Sequence, residues 1–146
     1  MDPNQPSQPI VAKLKDGTVV KGSLISFEPD RNSVLLQQAG SAAPTELPLD
    51  TLKAIYFVRS LQGDRQHHKS KAFTTRNPPG MRLLVRFHDG EVLTGFLESP
   101  LPWPKGFHIS KPDPRIPGFM LSPADPEGNN ERIYVVNSSI MEMTRL

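Results

Sequence analysis

The 146-residue sequence predicts an all-β fold made of two tandem, small, five-stranded barrels. Three observations carry that expectation: an internal repeat, a hairpin signal at the head of each copy, and abundant proline. In the first copy an apolar run over residues 10–14 leads into Lys15-Asp16-Gly17 and a second run over 18–24. In the second copy a run over 81–87 leads into His88-Asp89-Gly90 and another over 91–97. At a constant offset of 73 residues, as from Gly17 to Gly90, Asp16, Gly17, Val19, Gly22 and Leu24 recur as Asp89, Gly90, Val92, Gly95 and Leu97. Repeats of this kind mark one structural unit used twice. Sixteen prolines argue against long helices, and no stretch shows a 3.6-residue apolar period.

The first two strands of each copy follow from the Asp-Gly pair. Asp-Gly between alternating apolar runs signals a hairpin, and type I′ geometry, with positive φ at both central residues, is the expected turn. Asp16, Gly17, Asp89 and Gly90 are therefore read as turn residues rather than as a repeated active site. Gly22 and Gly95 fall inside the second strands, where glycine marks a bend, a bulge or a close backbone approach. A third strand is expected over 33–37, after the turn signal Pro29-Asp30-Arg31-Asn32, and its counterpart over 118–121. The last two strands, over 45–49 and 53–58, are separated by a tight corner at Asp50-Thr51. Their counterparts over 132–136 and 140–145 are separated at Asn137-Ser138-Ser139. Both corners place hydrogen-bonding residues where a single 3₁₀-like turn joins two strands. Short strands, bend glycines and such a corner together describe an SH3-like or Sm-like barrel.

This reading divides the chain into a disordered tail over 1–8, a first barrel over 9–60, a basic linker over 61–80, and a second barrel over 81–146 with a Pro/Trp-rich insertion at 99–117. Barrels of about 55–65 residues bury marginal cores alone, so the two are expected to pack on each other or to self-associate.

Composition narrows the function classes. Net charge is only +2, without the clustered basic excess of a dedicated nucleic-acid binder. Absence of cysteine removes disulfides and thiolate chemistry. The polar N-terminus lacks the pattern of a signal peptide, and no apolar run approaches the ~20 residues that cross a bilayer. The cytoplasm is the expected location. Adjacent His67 and His68 point to opposite sides of an extended chain, and neither they nor His88 and His108 sit at metal-ligand spacing. Asp125 to Asn130 lacks the alternating oxygen ligands of a calcium loop, so Gly128 and Asn129 are read as a structural turn. No nucleophile stands in a recognisable catalytic context. The chain is expected to be no enzyme and to need no cofactor and no metal.

Two segments remain as binding candidates. Arg65, Lys69, Lys71 and Arg76 in the linker can contact anions such as phosphate, although a solvated connector is the preferred reading, since basic linkers are common. Trp103, Lys105 and Phe107 lie in the insertion, where a stiff, proline-flanked aromatic suits a protein contact or a cap over the open end of the second barrel. Aromatic ladders for stacking bases are absent from the strands.

The run from Lys15 to Leu24, with Phe27 and the closing strand pair, resembles a degenerate Sm-like unit, although the Arg-Gly element of that family's RNA-contacting loops is missing. Residues 85–95 and 118–130, with Leu121-Ser122-Pro123-Ala124-Asp125-Pro126-Glu127-Gly128-Asn129-Asn130, are similar to an uncharacterised bacterial domain sometimes fused to PilZ-type cyclic-dinucleotide receptors. The signature residues of PilZ itself do not occur. The resemblance implies a bacterial protein of unknown ligand. A non-catalytic binding or adaptor protein that makes protein contacts is the leading expectation, and an Sm-like nucleic-acid or nucleotide-binding regulatory module is the alternative.

Overall fold

The computed structural model describes residues 8–61, 81–98, 109–113, 115–124 and 128–146, with the backbone alone at 109 and 110. The first copy forms β1 (Pro9–Leu14), β2 (Val19–Glu28), β3 (Ser33–Gln37), β4 (Thr45–Pro48) and β5 (Leu52–Val58). The second forms β6 (Met81–Phe87), β7 (Val92–Leu97), β9 (Gly118–Pro123), β10 (Asn130–Val136) and β11 (Ile140–Arg145), with a two-residue β8 (Ile109–Ser110) inside the insertion. The all-β class is as expected, and no α-helix occurs among the described residues. The strands join in one open antiparallel sheet, ordered β4-β3-β2-β1-β5-β10-β9-β7-β6-β11-β8. Each set of five has the same internal order, and the sets meet where β5 pairs with β10.

Local chemistry explains each element. Leu14 N–H donates to the Thr18 carbonyl at 2.8 Å and Gly17 N–H to the Leu14 carbonyl at 3.1 Å. In the second copy Phe87 N–H donates to Glu91 at 2.9 Å and Gly90 N–H to Phe87 at 3.0 Å. Only the glycines take positive φ, +94° at Gly17 and +90° at Gly90. The expected type I′ turns are therefore three-residue loops, in which the aspartate stays in the ordinary region and the glycine alone turns left-handed. Each aspartate locks its loop: Asp16 Oδ1 accepts from Thr18 N–H at 2.8 Å, and Asp89 Oδ1 from Glu91 N–H at 2.9 Å. Single 3₁₀ turns at Leu49–Thr51 and Asn137–Ser139 make the two expected corners. A strand within the expected irregular insertion was not legible from residues 99–117, because two residues carry no period.

Of the three readings open for Gly22 and Gly95, both positions show the close backbone approach. A Cβ on Gly22 would stand 2.5 Å from the Gln37 carbonyl oxygen, and one on Gly95 2.8 Å from that of Ser122.

Two clusters of buried side chains share the middle of the sheet. Ile10, Ala12, Val34, Leu36, Leu52 and Ile55 gather with Tyr134 and Val136 of β10. Leu83, Val85, Phe87, Leu121 and Met143 gather with Ala54, Tyr56 and Val58 of β5. Successive residues of a strand point to opposite faces, so β5 and β10 each feed both cores. That accounts for their unbroken apolar runs, because a strand covered on both faces has no solvent side. Packing between the copies, expected from their small size, is thus an interdigitation of these two strands.

Candidate functional site

The linker residues Arg65, Lys69, Lys71 and Arg76 and the insertion residues Trp103, Lys105 and Phe107 lie outside the described residues. Asp16, Gly17 and Gly90 serve their turns. The Thr18 hydrogen bonds hold the Asp16 carboxyl below the usual carboxylate range. Asp89 does more than turn the chain, because it also binds Lys53.

Lys53 sits in β5 where the pairing with β1 slips between Lys13 and Leu14. Its side chain is 7% exposed and crosses to the second copy. There Nζ donates to Asp89 Oδ2 at 2.8 Å, lies 3.0 Å from Glu91 Oε2, and rests 4.6 Å from the Phe87 ring centroid. Burial works against its charge, but the hydrogen bonds and charges of the two carboxylates prevail, so Lys53 stays above the ordinary lysine range. The Lys53 hydrogen bond, followed by that of Glu91 N–H, holds the Asp89 carboxyl below its usual range. A depressed carboxyl stabilises the fold above its unfolded value near pH 4, and that contribution is lost as pH falls through the folded value. Replacing Lys53 with methionine is expected to cost about 1 kcal/mol, limited because both carboxylates are half-exposed and screened. Urea unfolding at pH 7 and pH 3 checks this: the variant should lose less stability between the two than the natural chain does.

Beside Lys53, a cavity of about 90 Å³ is lined by Lys15, Phe87, His88, Asp89, Ser138 and Ser139. Lys15 Nζ donates to Ser138 Oγ at 2.7 Å, a pairing with the outline of a serine–lysine dyad. Both residues are exposed, whereas a lysine base is activated by desolvation or a neighbouring cation. Ser139 is buried and bonded to the Lys53 and Val136 carbonyls at 2.8 and 2.6 Å. This end of the molecule is a joint between the copies. Among the described residues no group of three or more His, Asp or Glu side chains is placed to hold a metal ion.

A larger groove, about 380 Å³, opens on the face of β1, β2 and β5 beside β10. The register aligns Lys21, Val11, Tyr56 and Ile133 across four strands, with Val19 and Lys13 in the next row. Val11, Val58 and Leu61 supply apolar floor and wall, and Lys13, Lys21, Tyr56 and Asn130 supply polar groups. Lys13 Nζ lies 4.7 Å from the Tyr56 ring centroid. Burial, then the charge of Glu91, raises the Tyr56 hydroxyl above its ordinary value and keeps it a neutral donor. Among the described residues no carboxylate lines the groove, and neither lysine has an ion-pair partner.

Asn129 and Asn130 stand at one end of the groove. Asn129 Oδ1 accepts from Ser60 N–H at 3.1 Å and its Nδ2 donates to the Ser60 carbonyl at 2.9 Å. Arg59 N–H donates to the Asn129 carbonyl at 2.9 Å, and the Arg59 guanidinium reaches the Gly128 carbonyl. Gly128 and Asn129 thus clamp the chain just after β5, while the turn expected of them runs through residues 125–127, which lie outside the described residues. Sequence reasoning missed Lys13, Lys21, Tyr56 and Asn130. Their only signal was lysine and valine alternating on the outward face of β1 and β2, a pattern shared with ordinary solvated strands.

The fold and groove define an all-β protein with an open, cationic, apolar-floored surface. The chain belongs to DUF6982, a family of unknown function, whose model matches residues 6–146 and so spans both copies rather than the second alone. No curated protein and no solved structure matches the chain. No helix among the described residues is long and apolar enough to cross a membrane.

Proposed function

We propose that this protein is a non-catalytic binding module whose groove holds an acidic, extended segment of a partner protein. The carrying observation is a pair of lysines, neither with an ion-pair partner among the described residues, flanking an apolar floor whose described lining holds no carboxylate. A volume of 380 Å³ is within the range of small-ligand sites. Tyr56 is 7% exposed and Lys13 covers its ring, so the groove offers no free aromatic face for stacking a base. That favours a carboxylate-bearing peptide over nucleic acid.

Each five-strand set is proposed to be one SH3-like or Sm-like barrel unit. The shared order, the slips in pairing between Lys13/Leu14 and Ile140/Glu142, and the 3₁₀ corners support it. A cysteine-free, two-unit adaptor of the bacterial cytoplasm is consistent with this reading.

Fluorescence anisotropy with a labelled peptide of alternating Glu and Leu, beside a single-stranded RNA oligomer of similar length, tests the proposal. The peptide should bind, and the double variant K13E/K21E should weaken it by at least about tenfold, 1.4 kcal/mol. RNA binding tighter than peptide binding, lost in that variant and falling steeply with salt, would replace this reading with the nucleic-acid one.

A further inference from the structure

The two copies share a fold but not the contact that joins them. Their last strands correspond at an offset of 88 residues, Leu52 with Ile140 and the corner Leu49–Thr51 with Asn137–Ser139. On that alignment β10 corresponds to β4, and β5 to β11. The β5–β10 pairing therefore joins a fourth strand to a fifth. A second molecule could in principle repeat it by laying its β4 on β11, and so extend the sheet head to tail.

Three features of the central contact are replaced at the free ends. First, β10 covers β5 with Ile133 opposite Tyr56 and Tyr134 opposite Ile55. On β11 the corresponding positions, Thr144 and Met143, are already paired with Ile109 and Ser110 of β8. Second, Tyr134 inserts into the neighbouring core, with its ring edge-on to Phe27 at 4.7 Å. Its counterpart in β4 is Glu46, exposed and bonded to Ser33 Oγ at 3.2 Å. A head-to-tail contact would bury that carboxylate in an apolar core. Third, Lys53, which reaches Asp89 and Glu91, corresponds to the exposed Met141, also at a slip in pairing.

We infer that the sheet ends are blocked against a second copy of this chain, by β8 on β11 and by Glu46 in β4, so that assembly stops at two units. Open sheet edges invite pairing, and inward-facing charges and covering segments are established ways of preventing it. The inference is independent of what the groove binds.

Sedimentation equilibrium over a wide concentration range tests it. The natural chain should keep the mass of one chain, 16.2 kDa. The triple variant E46Y/I109P/S110P, which restores the aromatic and removes both amide donors of β8, should form multimers that grow with concentration. E46Y alone and I109P/S110P alone should each remain single chains, because one block persists. A natural chain that multimerises overturns the inference whether or not the variants fold. So does a triple variant with native β-sheet circular dichroism that stays at one chain. Association of either partial variant overturns the claim of two independent blocks.

Discussion

Replacing Tyr134 with alanine is expected to lower the unfolding free energy by about 3–5 kcal/mol, the range for removing a large buried aromatic. The side chain is 6% exposed and stands edge-on to Phe27 within the first core, while its strand contributes Ile133 and Val135 to the second. One truncation therefore weakens the joint, and both halves should unfold in a single transition at lower urea, followed by circular dichroism. Tyr134→Phe separates ring from hydroxyl. Burial, with a smaller push from the Asp30 charge, raises the Tyr134 hydroxyl to about 12. Its folded value thus lies above the unfolded value near 10. The fold binds this proton more tightly, so stability holds below pH 10 and falls between pH 10 and about 12, as the unfolded chain ionises first. Tyr134→Phe should be near the natural chain at pH 7 and lose less stability across that alkaline window. The remaining loss belongs in part to Tyr56 and Lys53, whose values are also raised.

Alanine at Gly118 should be nearly as damaging, at about 3 kcal/mol, for a steric reason. A Cβ there would stand 2.2 Å from the Val135 carbonyl oxygen and 2.8 Å from the Tyr134 ring. The nearest obstacle is backbone of a central strand, which cannot swing aside like a side-chain tip, and overpacking of this kind typically costs about 1–3 kcal/mol or more. Gly40→Ala is the informative control. Gly40 has φ +79° but open space around its Cβ position, so it should show only the left-handed penalty of about 1–2 kcal/mol. Denaturant midpoints of the two variants measure the difference. Equal losses would mean that β9 and β10 can separate locally to admit a methyl group.

Much of the fold was readable because its signals are local. Asp16-Gly17 and Asp89-Gly90 announce hairpins through glycine's access to positive φ, although the loop type was misassigned. A type I′ turn and a three-residue loop use the same dipeptide and differ by one loop residue and by the sign of φ at the aspartate. Gly22 and Gly95 were readable as special positions because a glycine inside an apolar strand needs a reason, but choosing close approach over bend or bulge needed the neighbouring strands. The corners at Asp50-Thr51 and Asn137-Ser138-Ser139 were readable from their hydrogen-bonding side chains.

The candidate groove was not readable. Lys13, Lys21 and Tyr56 lie on three strands, and only the register of β2, β1 and β5 brings them into one row and its neighbour. The burial of Lys53 likewise depends on a slip in pairing that turns one side chain toward the other copy, and Asp89 is distant in sequence. A trace of the joint does stand in the sequence: Ala54-Ile55-Tyr56 and Ile133-Tyr134-Val135-Val136 are apolar without alternation, as strands covered on both faces must be.

The sequence by itself determined the all-β class, the recurrence of five residues at one offset, the positions of the two Asp-Gly turns and the absence of cysteine, since each depends on backbone preferences or composition a few residues wide. Only the tertiary structure decided that β5 and β10 join the copies in one sheet, that Lys53 bridges them, and that Lys13 and Lys21 flank a shared groove. Those outcomes rest on pairing between strands far apart along the chain, where many registers suit the local pattern and burial of both cores selects one.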